Sequence, residues 1–206
     1  MGENHVDHNQ RRLRNDELGA ATALLTQAML DNPLHVRVFG SDAKSRQRYL
    51  SRFFGVLVAY VHANGKLLGT YAQGDLVGVL GMIRPNRCRP GWREKARFAR
   101  GLLPYVPLPT LWRAYRWLTA WAHHDPVDPH WHIGPLAVHP THQRQGIGRG
   151  LMKRCCAHLD ADDKTAWLET DRDINVVFYR ALGFTIARHE PVLGVPTWFM
   201  QRSPNQ

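Results

Sequence analysis

Cysteine is scarce in this chain. Cys88, Cys155 and Cys156 are the only three in 206 residues, and they form no Cys-x-x-Cys pair. That count excludes a disulfide framework and makes the cytoplasm the expected compartment. Long apolar runs are missing too. The longest, Phe53 to Val61, is interrupted by Gly55 and falls far short of the roughly 18 residues of a membrane span. Met1 to Gln10 is polar, so no signal peptide is expected there. Val6 stands where a myristoylation signal wants Ser or Thr. No internal repeat or low-complexity linker is visible. Acidic residues are few, 17 against 27 Lys and Arg.

What is present points to a globular protein. With 44% hydrophobic residues, and 7 Trp, 7 Phe and 6 Tyr spread along the chain, intrinsic disorder is excluded. The length suits one compact domain that needs no metal or disulfide staple. The net charge of +10 is unevenly placed. Residues 84–116 hold eight Arg and one Lys against Glu94 alone, so they carry +8 of it. Such a segment either faces an anionic ligand, nucleic acid or membrane surface, or is a solvated helix face.

Apolar residues at helical spacing predict a helix over Asp16 to Leu30, ended by Asn32-Pro33. Ser41 or Asp42 caps a second, reaching about His62 and closed by Asn64-Gly65. Strands follow at Leu67 to Gln73 and Leu76 to Ile83, with Gly74-Asp75 as the hairpin turn. Helices are expected at Trp92 to Leu103 and Leu108 to His123. Beyond Asp125-Pro126 and Asp128-Pro129 the pattern alternates: strand Trp131 to Val138, helix Gly146 to Leu159, strand Ala166 to Thr170 and helix Ile174 to Leu182. Strands Phe184 to His189 and Thr197 to Gln201 complete it. This is an α/β pattern with a mixed sheet. Cys155 and Cys156 fall on a helix, where free cysteines act as small apolar residues.

The chemistry concentrates in one stretch. After the strand ending at Val138, His139-Pro140 breaks the ladder. The loop Gln143-Arg144-Gln145 then runs into a helix opening with Gly146, Gly148 and Gly150. A helix N-terminus offers unpaired N–H groups and a positive dipole end, and glycine lets an anion approach the backbone closely. Strand, glycine loop and helix start together suit a diphosphate. Arg144 and Arg149 add charge. The Lys-Ser/Thr of a nucleotide-triphosphate loop is absent, and Gly146-x-Gly148-x-Gly150 is not the dinucleotide G-x-G-x-x-G.

Gln143, Gly146 and Gly148 match the Gln/Arg-x-x-Gly-x-Gly/Ala loop of the GNAT family of acetyl-CoA-dependent N-acetyltransferases, which this chain resembles. The resemblance extends over Leu136-Ala137-Val138-His139-Pro140, Leu168-Glu169-Thr170, Asn175-Val176-Val177-Phe178-Tyr179 and Leu182-Gly183-Phe184. The C-terminal part, with Thr197-Trp198-Phe199-Met200, is also similar to puromycin N-acetyltransferase and its relatives. Residues 84–130 have no such match, so the acceptor is not implied. The resemblance implies a mixed, mostly antiparallel twisted sheet flanked by helices, with a helical insertion before the fourth strand. It implies one domain over 1–206, with 84–130 variable and 131–190 binding acetyl-CoA. Residues 143–150, including Ile147, would grip the cofactor's diphosphate. Its pantetheine arm would lie along Leu136, Ala137 and Val138 and against Asn175. Tyr179, on the same helical face as Asn175, would protonate the departing thiolate.

Gly134-Pro135 lies inside the fourth strand. Proline completes no ladder bond, so a bulge that splays this strand is expected there. An amine must lose a proton before it attacks, and Glu169 and His132 are the candidate bases. Either can instead be structural, Glu169 sharing a face with Trp167 and His132 filling a sheet face. His123, His124, His130 and His132 lie near Asp125 and Asp128 but lack His-x-x-x-His spacing, so no metal is expected. Cys88, beside Arg87 and Arg89, is read as an ordinary thiol. The expected function is acetyl transfer from acetyl-CoA to a small-molecule amine, with no membrane span and no nucleic acid, and a homodimer left open. Two rivals remain: a non-catalytic acetyl-CoA- or nucleic-acid-binding module using 84–116, and peripheral membrane association through the same Trp/Arg segment.

Overall fold

The computed structural model describes residues 9–204. The readings on the N-terminal start concern residues 1–8 for the most part and lie outside the described residues. Seven strands form one sheet in the order β1-β2-β3-β4-β5-β7-β6. They are β1 (Asn9–Arg12), β2 (Gly65–Ala72), β3 (Asp75–Ile83), β4 (Trp131–Val138), β5 (Ala166–Thr170), β6 (Thr185–Val192) and β7 (Val195–Arg202). Every neighbouring pair is antiparallel except β4 and β5, which are parallel. Helices α1 (Leu18–Ala28), α2 (Pro33–Phe39) and α3 (Ala43–Asn64) precede β2. Helices α4 (Trp92–Leu102) and α5 (Leu108–His124) are inserted before β4. Helix α6 (Ile147–Ala161) follows β4, and α7 (Asp173–Arg180) follows β5. This is the architecture expected from the sequence.

Side-chain alternation along the strands builds two cores. Val79, Ala137, Trp167 and Phe199 meet α1, α2, α3 and α5 on one face. Leu80, Ile133, Leu168 and Met200 meet α6 and α7 on the other. Two faces of the sheet therefore approach any ligand held between β4 and β5.

Several boundaries differ from expectation for local reasons. α1 ends already at Ala28, and Asn32-Pro33 instead starts α2, with Asn32 accepting from the His35 amide at 3.1 Å and Pro33 in the first turn. The hairpin turn falls at Gln73 and Gly74, both at positive φ, one residue earlier than the sequence suggested. Gly65 caps nothing. It is extended, and glycine is required because a Cβ there would lie 1.9 Å from the Met82 carbonyl oxygen. Strand β1 was not expected, since Asn9–Arg12 is polar throughout.

Asp171, just past β5, ties α2 to the sheet. Asn32 Nδ2 donates to its Oδ1 at 2.6 Å, and the Leu34 amide donates to its Oδ2 at 2.7 Å. Asp171→Ala is expected to lower the unfolding free energy by about 1–3 kcal/mol, read from the urea midpoint. An unchanged midpoint would mean that water serves both donors equally well.

Candidate active site

The fourth strand departs from its parallel neighbour almost at once. β4 and β5 pair only at Trp131 with Ala166 and His132 with Trp167. Beyond that point β5 is held by β7, and β4 by β3. A wedge opens between them from Ile133 onward. The cause lies in the sequence. The register slips opposite Gly134-Pro135, as expected for a proline inside the ladder. Gly134 has φ 146°, and a Cβ on Gly81 would lie 2.4 Å from the Gly134 carbonyl oxygen. The bulge thus needs glycine on both strands.

The direction of the backbone groups follows from one bond. The His139 amide donates to the Val77 carbonyl at 2.8 Å, so by alternation Leu136 and Val138 turn their amides and carbonyls toward the wedge. Gln143 Nε2 reaches back to the Val138 carbonyl at 3.2 Å, which agrees. The wedge therefore presents a free strand edge.

At its wide end the chain forms the glycine loop. Arg144 (φ 63°) and Gly146 (φ 79°) are left-handed, and Gln145 Nε2 donates to the Thr141 carbonyl at 3.3 Å. The first helical bond of α6 runs from the Gly150 amide to the Gly146 carbonyl at 2.8 Å. The amides of Ile147, Gly148 and Arg149 have no helical partner. Helix α6 seats on β3 at Gly78, where a Cβ would meet Ile147 Cγ2 at 2.7 Å. Gln143, Arg144, Gln145, Gly146 and Arg149 are exposed.

Helix α7 places Asn175 and Tyr179 one turn apart. Asn175 Nδ2 donates to Thr170 Oγ1 at 3.1 Å at the end of β5. Tyr179 is buried against Val176 and Phe184. Burial pushes its phenol above the ordinary tyrosine range, with Cys155 and Glu169 adding to the shift.

On the opposite face, His132 Nε2 lies 3.1 Å from Glu169 Oε2, and Trp167 Nε1 donates to Glu169 Oε1 at 2.9 Å. His132 Nδ1 lies 3.4 Å from Asp125 Oδ1. Burial opposes the imidazolium, but Glu169 and Asp125 outweigh it and raise His132 well above the usual histidine range. Cys88 and His130 adjoin the same group. Burial pushes the Cys88 thiol up, yet His130 and His132 draw it down to about 7.

The profile of the acetyltransferase (GNAT) family matches residues 47–184, which run from within α3 through β2, β3, β4 and β5 to just past α7. The chain belongs to the GNAT family. It is accordingly a GNAT-type acyltransferase. Solved structures agree on the fold. A histone acetyltransferase HPA2 and related acetyltransferase from Corynebacterium glutamicum is 17% identical with a TM-score of 0.73, covering 97% of each chain. Arylalkylamine N-acetyltransferase 2 from Aedes aegypti is 14% identical with a TM-score of 0.64, over 97% of this chain and 100% of that one. A phosphinothricin acetyltransferase from Sinorhizobium meliloti, in complex with acetyl-CoA, is 16% identical with a TM-score of 0.58, over 96% and 88%.

The expected site residues fall on β4, the loop after it, the start of α6, β5 and α7. Leu136, Ala137 and Val138 lie on β4 beyond its last pair with β5, residues 143–150 lead into α6, and on α7 Asn175 bonds Thr170 at the end of β5 while Tyr179 packs in the core on the α6 side of the sheet. Glu169 and His132 meet each other, which their sequence positions alone did not show. Of the histidine-rich segment, His123 and Asp128 bring no side chain to that pair, and His124 faces Glu190 at 3.5 Å. Asp125, which the sequence placed beside the histidines with no pairing assigned, points at His132. Cys88 is perturbed by histidines rather than by Arg87 and Arg89. One signal was available: Ile83 pairs with His132, so a residue shortly after β3 and one shortly before β4 must lie close together.

Proposed function

We propose that this GNAT protein transfers the acetyl group of acetyl-CoA to the primary amine of a small-molecule acceptor by direct attack. The observation that carries this reading is the early parting of β4 from β5 beside the glycine loop, with Tyr179 packed on one side of the sheet and the Glu169–His132 pair on the other. In this reading the amides and side chains of residues 143–150 hold the diphosphate. The backbone of Leu136, Ala137 and Val138 pairs with the pantetheine arm as an added strand would. Asn175 orients that arm.

The neutral amine attacks the thioester carbonyl, and the tetrahedral oxyanion is met by a backbone N–H near Val138. The C–S bond breaks, and Tyr179 gives its proton to the leaving sulfur. The attacking nitrogen loses its proton to the Glu169–His132 pair. The products are the N-acetyl amine and free coenzyme A. Holding both partners in place supplies much of the acceleration. The reaction belongs to the cytoplasm on this reading, in keeping with three free thiols.

Residues 84–130 would form the acceptor side of a single domain over 1–206, and residues 131–190 the acetyl-CoA side. Trp92 (75% exposed) and Trp112 (61%) stand out from α4 and α5. Arg93, Arg97 and Arg100 are exposed along α4. Such a surface repels a polyamine and suits an aromatic or anionic amine through stacking and cation–π contact.

The test is release of free thiol from acetyl-CoA across a panel of aromatic, anionic and polycationic amines. Substituting Arg93, Arg97 and Arg100 together by Glu is expected to raise the acceptor KM about tenfold, a loss of roughly 1.4 kcal/mol. The KM for acetyl-CoA should not change. An equal effect on both substrates, or none, would remove these arginines from the acceptor side. The exposed arginines also favour one rival, a nucleic-acid-binding module. Salt-dependent retention of duplex DNA with no thiol release from any amine would install it.

A further inference from the structure

We propose that Cys88, His130, His132 and Asp125 form a binding site for a divalent transition metal, zinc being the chemical fit. The donor atoms of Cys88, His130 and His132 lie within 4.8 Å of one another, and so do those of Asp125, His132 and Glu169. The two groups overlap at His132, and Asp125 comes to the first only through its approach to His132 Nδ1.

The hydrogen bonds around the rings decide which atoms are free. His130 Nδ1 sits 2.8 Å from the Asp128 carbonyl oxygen, which accepts only, so this nitrogen carries the proton. His130 Nε2 then holds a lone pair, and it is buried with no partner. His132 Nε2 faces the Glu169 carboxylate at 3.1 Å, so it too is the protonated nitrogen. His132 Nδ1 and Asp125 Oδ1 are likewise buried without hydrogen-bond partners, although only 3.4 Å apart. His130 and Asp125 are 5% and 8% exposed. Among the described residues, His130 Nε2 lies near the Cys88 thiol and His132, and His132 Nδ1 faces Asp125 Oδ1, so two unbonded ring nitrogens and a carboxylate oxygen border one thiol. A proton can answer part of that demand, but a single cation answers all of it.

The geometry and the donor types agree with zinc. A tetrahedral zinc with bonds of about 2.0–2.2 Å to N and O spaces its ligand atoms roughly 3.4 Å apart, close to the separation of His132 Nδ1 and Asp125 Oδ1. One thiolate, two imidazoles and a carboxylate suit a borderline-soft ion and disfavour magnesium or calcium, which prefer oxygen. Each imidazole is oriented through its second nitrogen, one by a carbonyl and one by a carboxylate, as metal-bound histidines usually are.

Cys88, His130 and His132 supply three ligands, and bound metal would draw in Asp125 from beside His132 as the fourth; a shell closed in that way makes the role structural. Cys88 lies just before α4, Asp125 just after α5, and His130 and His132 at the start of β4. The ion would pin both ends of the 84–130 insertion to the sheet. It would also leave His132 neutral with its Nε2–H on Glu169, making the carboxylate the proton acceptor of that pair. Linear spacing argued against a metal because the ligands come from both ends of a long insertion.

The experiment uses the full chain without an affinity tag, expressed in zinc-supplemented medium and dialysed. About one zinc per chain is expected by elemental analysis, as a four-ligand site binds one ion. Extraction with a strong chelator should lower the Tm, and zinc should restore it. Cobalt(II) loaded in place of zinc should give a thiolate-to-metal charge-transfer band and the visible spectrum of a tetrahedral site. Cys88→Ser should abolish that band. Asp125→Asn, which keeps size and shape, should weaken zinc binding by more than the roughly 10–100-fold that loss of an outer-shell group costs. Metal at background level in the unmodified chain, or a cobalt spectrum lacking the thiolate band, overturns the proposal. A thiolate band that survives Cys88→Ser also overturns it. If Cys88→Ser does not fold, the unmodified chain's cobalt spectrum decides alone. None of these readouts depends on acetyl transfer, so the site stands or falls apart from the proposed reaction.

Discussion

Tyr179→Phe is expected to lower kcat by about 100-fold or more, the usual lower range for a positioned general acid, while leaving affinity for acetyl-CoA close to that of the unmodified chain. The ring sits in the core beside Val176 and Phe184, and phenylalanine fills the same space. Among the described residues the hydroxyl has no hydrogen-bond partner, so its removal breaks no internal bond. Stability should therefore barely move, and a change in turnover can be read as chemistry. Burial raises the phenol, so it stays protonated throughout the neutral range and keeps its proton until the sulfur takes it. The sign follows. An acid works while protonated, so any loss of rate on its account should appear only above the ordinary tyrosine range near 10. An acetyl thioester with a more acidic leaving thiol needs less help, and the deficit should shrink with it. Unchanged kcat in the phenylalanine variant would take Tyr179 out of the mechanism and leave it as a core residue.

How far the site could be read from the chain depends on the distance over which each part is assembled. The glycine loop is local. A strand, a proline break and three glycines before a helix lie within a few residues, and the physics of helix ends makes them an anion site wherever they occur. The splay was also legible, because a proline inside a strand interrupts the ladder at a known position. Glu169 and Trp167 were placed on one face by period 2 alone. What stayed hidden needed two distant segments. Glu169 meets His132 only because β5 pairs with β4 in parallel at Trp167 and His132. Cys88 meets His130 only because β3 and β4 pair across the α4–α5 insertion. Strand β1 carries no apolar alternation. It is held by its pairing with β2 and by Arg11, whose guanidinium donates to Glu17 Oε2 at 2.8 Å. Helix α2 was lost because Asn-Pro reads equally well as the end of one helix or the start of the next, and local sequence does not decide between the two; here it only starts α2. The +8 segment is a mixture. Trp117 turns into the core while Trp92 and Trp112 face solvent, so charge counting described its surface and missed its packing.

Gly146→Val should cost at least tenfold in affinity for acetyl-CoA, or about 1.4 kcal/mol or more, and Gly148→Ala should cost little. The two glycines look alike in the sequence, but their backbones differ. Gly146 holds φ 79°, a left-handed conformation in which a β-branched residue is strained by about 1–3 kcal/mol. A Cβ there meets no atom within 4 Å, so the penalty is conformational and not a clash. The chain can relieve it by turning Gly146 out of that region. Doing so re-aims the amides of Ile147 and Gly148, because Gly146 carries the carbonyl that starts α6. Gly148 lies inside the helix, and a Cβ would stand 3.6 Å from Val138 Cγ2, an ordinary contact. Alanine there keeps the amides where they are and improves helix propensity. Calorimetric titration of coenzyme A into both variants reads the difference directly, without an acceptor. If valine at 146 binds as tightly as glycine, the diphosphate is not held by these amides, and the wedge loses its anchor. If alanine at 148 fails while valine at 146 succeeds, the ligand lies against the first turn of α6 rather than at its start, and the loop serves only to launch the helix.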